Sequence, residues 1–249
     1  MITPPTLAAT IERRLLVNYR VDPAVAQRLL PEGLRPQLVD GSAVAGICLL
    51  RLGDLRPSWF VPRIGWGAEN AAHRFAVEWD GADGVRTGVY IPERHTASRL
   101  AVLAGGRVFP GRHRLARFVS EESPERIRLT LDSPATTVRA DVRPTTAWSS
   151  SLFPTLASAS AFFQSGSVGW SPALDGRSLQ GIRLATDAWS VSAAEPVRVE
   201  SSFFDSLPAG SAVLDDVLLM RDVPVTWNSP GIDAPRTGSR SGSRAGVRR

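Results

Sequence analysis

Gly105-Gly106-Arg107-Val108-Phe109-Pro110-Gly111-Arg112-His113-Arg114-Leu115-Ala116-Arg117 is the stretch around which the rest of the chain is read. Its paired glycines release the chain from a short helix over 95–104, which carries Leu100 and Leu103 inward and closes at Gly105 in the left-handed position. A Phe-Pro-Gly turn follows, and two cations then lead into an alternating strand over 115–120. Strand parity puts His113 with Leu115, Arg117 and Val119, and Arg114 with Ala116, Phe118 and Ser120. A charged Arg117 suits a polar pocket better than an apolar core. His113 and Arg117 are therefore expected to point inward together, near Glu69, with Arg114 outward.

Working outward, most of the chain reads as strands cut by turns. Residues 15–20 alternate, and Asp22-Pro23 gives an N-cap and a first-turn proline for a short helix that stops before Pro31. Residues 43–52 are nearly all apolar, as in a strand buried on both faces. A loop over 53–67 carries Trp59, Phe60 and Trp66, any of which would serve to close over an apolar ligand or to anchor the loop. Over 70–79, His73, Phe75, Val77 and Trp79 share one face, and Arg74, Ala76 and Glu78 the other. A hairpin turn at 80–84 returns through 85–91. Further strands are read at 126–132, 136–142, 181–191, 197–203 and 213–220, and a helix at 154–164.

The 249 residues, 43% of them hydrophobic, suit one domain with a full-sized core. That domain is placed at 1–230, followed by a disordered Gly/Ser/Arg tail at 231–249. The tail has five arginines against one aspartate, so four of the five net positive charges lie there and the body is nearly neutral. A body that bound nucleic acid specifically would carry its own basic face. No apolar run is long enough to span a membrane, and Met1 to Thr10 lacks the pattern of a secretory signal. A cytoplasmic location is expected, and the single cysteine, Cys48, is compatible with it. All 29 basic residues are arginine, so no lysine can form a Schiff base.

The key stretch resembles the segment of acetoacetate decarboxylases in which a glycine-rich turn leads to a lysine pair followed by Leu-Ala. Aligned without gaps, that pair falls on His113 and Arg114. Asn18-Tyr19-Arg20-Val21-Asp22-Pro23 with Leu29-Leu30-Pro31-Glu32-Gly33-Leu34 is similar to the strand, Asp-Pro helix and Pro-x-x-Leu exit that open those enzymes. Glu69-Asn70-Ala71-Ala72-His73-Arg74, Ser201-Ser202-Phe203-Phe204 and Leu218-Leu219-Met220-Arg221 resemble an uncharacterised bacterial domain-of-unknown-function branch of the same superfamily. So does Gly46 to Leu52, and together the pieces run from about 11 to 228. The resemblance implies an α+β fold, with a few short helices around a closed, cone-shaped antiparallel β-barrel and its internal pocket.

It also implies site residues. His113 takes the place of the reactive lysine, where the adjacent Arg114 would keep the imidazole neutral and basic. Glu69 stands where the decarboxylases have a pocket glutamate. A substrate-binding arginine before the first strand falls on Glu12, one step from Arg13, in the run Glu12-Arg13-Arg14 that precedes the strand, and Arg20 follows it. His73 is either a ligand contact or a satisfied core histidine. The expectation is an enzyme acting on an organic acid or keto compound through His113 and Glu69 as acid and base, with Arg117, Arg114, Arg20, Arg13, His73 and Trp66 as binding residues. The alternative is a non-catalytic ligand-binding protein. No cofactor or metal is implied, and a homo-oligomer is compatible with everything read.

Overall fold

The computed structural model describes residues 6–60, 65–107, 109–229 and 235. In chain order its elements are β1 (Leu7–Val21), α1 (Pro23–Leu29), β2 (Arg35–Pro36), β3 (Leu38–Val39), β4 (Ser42–Pro57), β5 (Trp66–Gly81), β6 (Gly84–Tyr90), β7 (Arg94–Thr96), α2 (Arg99–Ala104), β8 (His113–Leu115), β9 (Arg117–Glu122), β10 (Ile127–Asp132), β11 (Thr137–Thr145), α3 (Leu156–Ser165), β12 (Val168–Pro172), β13 (Leu179–Ala185), β14 (Ser192–Ser201), α4 (Ser202–Asp205) and β15 (Ala212–Asn228). The expected tail at 231–249 lies, Pro235 apart, outside the described residues.

The strands join in one sheet with the order β1-β4-β5-β6-β12-β13-β15-β14-β11-β10-β9, and β1 also pairs with β15. Pairing that starts at β1 and runs through β4, β5, β6, β12, β13 and β15 therefore returns to β1. Among the described strands the pairs are antiparallel except β6–β12 and β7–β8, so the sheet is mixed rather than wholly antiparallel.

β1, β4 and β5 form the spine because both of their faces are covered. One face sends Leu15, Val17, Ile47, Leu49, Phe75 and Val77 into the main core, where they meet Ile127, Leu129 and Leu131 of β10 and Val138 and Val142 of β11. The other face sends Leu16, Val44, Cys48 and Ala76 toward Ala159 and Phe163 of α3. Double burial is why 43–52 reads as a continuous apolar run. Asp22 caps α1 by accepting a hydrogen bond from the Val25 amide, and Thr155 caps α3 in a box with Ser158.

Two bulges reset which residues face which side. Ile11 pairs with Leu52 and Arg13 with Arg51, so Glu12 is an extra residue in β1 and the alternation inverts there. A second irregularity falls in β4 between Leu52 and Leu55, where Asp54 adopts a positive φ of 53°.

The key stretch folds differently from its sequence reading. β7 occupies 94–96, and only then does Ser98 cap α2, accepting from the Ala101 amide. Gly105 is extended (φ −58°, ψ 133°), and Gly106 takes the left-handed conformation (φ 74°). α2 has no buried residue, so Leu100 and Leu103 face outward. β8 is only three residues long and pairs with β7, whereas β9 pairs with β10. Ala116 breaks the strand between them, and the parity count from His113 to Arg117 does not hold. Residues 186–191, expected in a strand, form the link from β13 to β14, and β12 has no counterpart in the sequence reading.

Candidate functional site

A cavity of about 610 Å³ lies on the α3-facing side of the spine. Its floor is a row of side chains at matched positions on five strands: Leu16, Cys48, Ala72, Arg94 and His113. The small Ala72 at the centre leaves the space over which Arg94 and His113 look. The next row toward the open end holds Arg14, Leu50 and Asn70, and the opposite side holds Arg74 beside Gly46.

Three guanidinium groups converge here without a counter-ion. Arg14 donates from Nε to Cys48 Sγ (3.0 Å). Arg74, fully buried, donates to Asn18 Oδ1 and lies over the Phe163 ring at 4.7 Å. Arg94 donates to the Pro110 carbonyl (3.1 Å) and Ser171 Oγ (3.3 Å), and lies 5.2 Å from the Phe109 ring centroid. Among the described residues no carboxylate comes within ion-pair distance of these three. Asp216 reaches Arg74 only through Asn18, whose amide donates to it at 2.5 Å. Burial holds the pKa of Arg74 and of Arg94 down to about 10, which leaves both charged at neutral pH.

His113 stands beside Arg94 on the adjacent strand. Burial first, then the Arg94 charge, push its pKa down from 6.5 to about 4, against an upward pull from the Gly111 carbonyl. Nδ1 lies 3.2 Å from that carbonyl, which can only accept, so Nδ1 carries the proton and Nε2 keeps the lone pair. Phe109 packs edge-on to His113 (5.6 Å) and to Trp227 (5.9 Å). Gly105 is pressed against the imidazole, since a Cβ there would sit 2.5 Å from Nδ1. The glycine and the Phe-Pro-Gly turn of the key stretch thus serve to seat this one ring.

His95 also lines the cavity. It is buried and neither ring nitrogen has a hydrogen-bond partner, a Glu93 oxygen standing 3.6 Å from Nε2. Burial lowers its pKa as well.

The other sequence candidates fall elsewhere. Glu69 is on the opposite face of β5 from Asn70, bound to Arg13 and Arg51 and accepting from Ser120 Oγ. Glu122 completes the network with Arg13 (3.3 Å), Arg51 (2.9 Å) and Arg221 (3.4 Å). Glu69 and His113 are therefore not brought together, and Arg13 is a buried strut of the same network rather than a cavity residue. Arg117 is exposed and outside the cavity, which corrects its expected pairing with His113. Arg114 is half-exposed and ion-paired with Glu93. Arg20 is exposed at the end of β1. His73 is buried in the main core, 4.6 Å from the Phe203 ring and 3.4 Å from Ser201 Oγ, with a pKa pushed down to about 3 by burial and by His95. The Trp66 side chain lies outside the described residues, and Trp59 is exposed away from the cavity.

Sequence reading missed Arg14, Arg74, Arg94 and His95. Arg74 had a signal, being a cation among alanines on a strand that neighbouring apolar runs cover. Arg14 was hidden by the bulge at Glu12, His95 by the helical reading of 95–104, and Arg94 by falling just before that helix. Among the described residues no group of three or more His, Cys, Asp or Glu side chains is placed to hold a metal ion. No helix among them is long and apolar enough to cross a membrane.

Residues 8–218 match the family DUF2071, described as an uncharacterized conserved protein. No curated protein matches the sequence. Among solved structures, the acetoacetate decarboxylase of Legionella pneumophila superposes with a TM-score of 0.59 at 13% identity, over 91% of this chain and 85% of that one. An acetoacetate decarboxylase-like enzyme from Sphingomonas wittichii gives 0.58 at 18% identity, over 92% of both chains. The enduracididine biosynthesis enzyme MppR complexed with pyruvate gives 0.53 at 15% identity, over 91% of this chain and 89% of that one. At these identities the likeness concerns the fold.

Proposed function

The chain belongs to the DUF2071 family and has an acetoacetate decarboxylase-like fold, and on that premise we propose that its cavity takes a small organic acid or keto compound and acts on it by acid–base chemistry. The observation that carries this reading is the Arg94–His113 pair on the cavity floor: a cation without a counter-ion beside an imidazole kept neutral. A carboxylate or enolate oxygen would supply the charge that Arg94, Arg14 and Arg74 lack, in a site where burial strengthens the attraction. The Nε2 lone pair of His113 would take a proton from carbon next to the carbonyl. Arg94 would hold the resulting enolate oxygen, and the imidazolium would return the proton.

With no lysine in the chain, no imine forms on a side chain and the chemistry runs without a covalent intermediate of that kind. The ring of pairings from β1 back to β1 we read as a closed, cone-shaped barrel, with the cavity in its lumen. The pyruvate complex of MppR supports a keto acid as the first compound to try. A purely binding role would be favoured by an apolar lumen, and the buried cations and the low-pKa histidine weigh against it.

The test is solvent exchange of the α-protons of pyruvate and acetoacetate in heavy water, followed by NMR, alongside calorimetric binding and borohydride trapping. Faster exchange that is lost in His113→Gln, binding lost in Arg94→Met, and no borohydride adduct by intact mass are expected. Binding without exchange would make the protein a carrier. Equal affinity for acetone and pyruvate would remove the anion site, and a specific adduct would overturn the imine-free chemistry.

A further inference from the structure

The cavity has two chemically distinct linings, one cationic and one apolar. Arg94 and His113 stand on the floor, with Arg14 and Arg74 in the rows on either side of it, supplied by β1, β5, β7 and β8. Much of the remaining wall is apolar: Ile11 of β1, Leu52 of β4, Phe162 of α3, Ile182 of β13, Trp189 and Trp227. Trp189, on the link from β13 to β14, is fixed to α3 by its indole N–H, which donates to Ser160 Oγ at 2.9 Å. Exposed lining residues, Gln164, Arg183 and Asp187, mark the mouth on this apolar side.

The volume is too large for a keto acid of pyruvate's size. About 610 Å³ sits within the range of roughly 300–1,000 Å³ that encloses drug-sized molecules. It equals the liquid volume of ~20 waters at about 30 Å³ each, whereas pyruvate displaces only a few. The rest would be water against Ile, Leu, Phe and Trp, with few polar partners to hold it.

Resting on the anion site described above, we propose that the ligand is an amphiphilic acid: a carboxylate on a medium-chain alkyl or aryl body. The head group meets Arg94 and its neighbours, and the body lies along Ile182, Phe162, Trp189 and Trp227 toward the mouth. The two linings make separable demands. The cations discriminate an acid from its alcohol, and the apolar wall discriminates long acids from short ones.

The experiment is a series of butanoate, hexanoate, octanoate and decanoate below their micelle concentrations, with octan-1-ol as the uncharged control. Binding to the full chain is followed by tryptophan fluorescence and calorimetry. Affinity should rise about fourfold per added methylene, from ~0.8 kcal/mol each, to a plateau at least a hundredfold above butanoate. Octan-1-ol should bind at least tenfold more weakly than octanoate. Arg94→Met should weaken every acid by a similar factor. Trp189→Ala, checked by thermal melting to be folded, should flatten the length dependence and spare butanoate and pyruvate.

Short acids that bind as tightly as long ones would overturn the amphiphile and leave the anion site standing. Octan-1-ol as tight as octanoate, with no effect of Arg94→Met, would overturn the anion site and with it the acid head group. No binding by any acid in the series or by pyruvate would overturn both.

Discussion

Substituting Arg94 by Met separates the two causes that keep His113 neutral. Lowering its pKa from 6.5 to about 4 corresponds to about 3 kcal/mol against the imidazolium. Burial is the larger cause and the Arg94 charge the second, so Arg94→Met removes only the second. The His113 pKa should rise from about 4 but stay below 6.5, and the ring should stay neutral at pH 7. The chain has three histidines, so ring carbon–proton NMR gives three signals, each assigned by a single His→Gln variant. His73, on the opposite face of β5 and held at about 3 by burial, should not move and serves as the internal control. A wild-type midpoint for His113 at 6 or above would refute the buried neutral base. A return to 6.5 in Arg94→Met would show that the cation alone sets it.

The linked stability effect has a definite sign. Between about 4 and 6.5 the unfolded chain binds a proton at His113 that the folded chain refuses. This contribution is therefore fully present above pH 6.5 and lost as pH falls toward 4. Asp216 acts in the opposite direction. Burial raises its pKa from 3.8 to about 7, so its contribution is present below 3.8 and lost as pH rises toward 7.

Asp216→Asn should accordingly gain about 3 kcal/mol relative to wild type between pH 5 and pH 8, read from denaturant melts at the two values. A difference that does not change with pH would mean that Asp216 ionises normally. Gly105→Ala introduces no backbone strain, but its Cβ would meet His113 Nδ1 at 2.5 Å and must displace the ring. It should cost about 1–3 kcal/mol in thermal or denaturant unfolding and move the His113 NMR signal. A neutral substitution with an unchanged His113 titration would show that the ring is not held by this contact.

The spine of the fold was legible because its signals are local. Asp22-Pro23 specifies a cap wherever it sits, and a run such as 43–52 can be buried only between two layers. The site was legible only where a side chain sits on an uninterrupted strand, and the case of β5 shows what was lost. Alternation over 70–79 already set Arg74 apart from His73. Extended back along the same strand, it puts Asn70 with Arg74, and Glu69 with His73 on the other face. The resemblance points to Glu69, one residue out of register, whereas the strand's own parity points to Asn70. β1 is the harder case. Arg13 and Arg14 are adjacent, and simple alternation forward from Ile11 would send Arg13 to the cavity. One bulged residue, Glu12, inverts that outcome, and an extra residue in one of two paired strands leaves no mark in the hydrophobic pattern of its own strand alone. Arg94 and His113 depended on still less local facts. Each lies in a three-residue strand, which among the described strands pairs with β5 and β8 in the case of β7 and with β7 in the case of β8, so neither is long enough to show a period. The Arg94–His113 pair on which the proposed chemistry rests sits on two three-residue strands, and those are set by tertiary pairing and not by their own sequence.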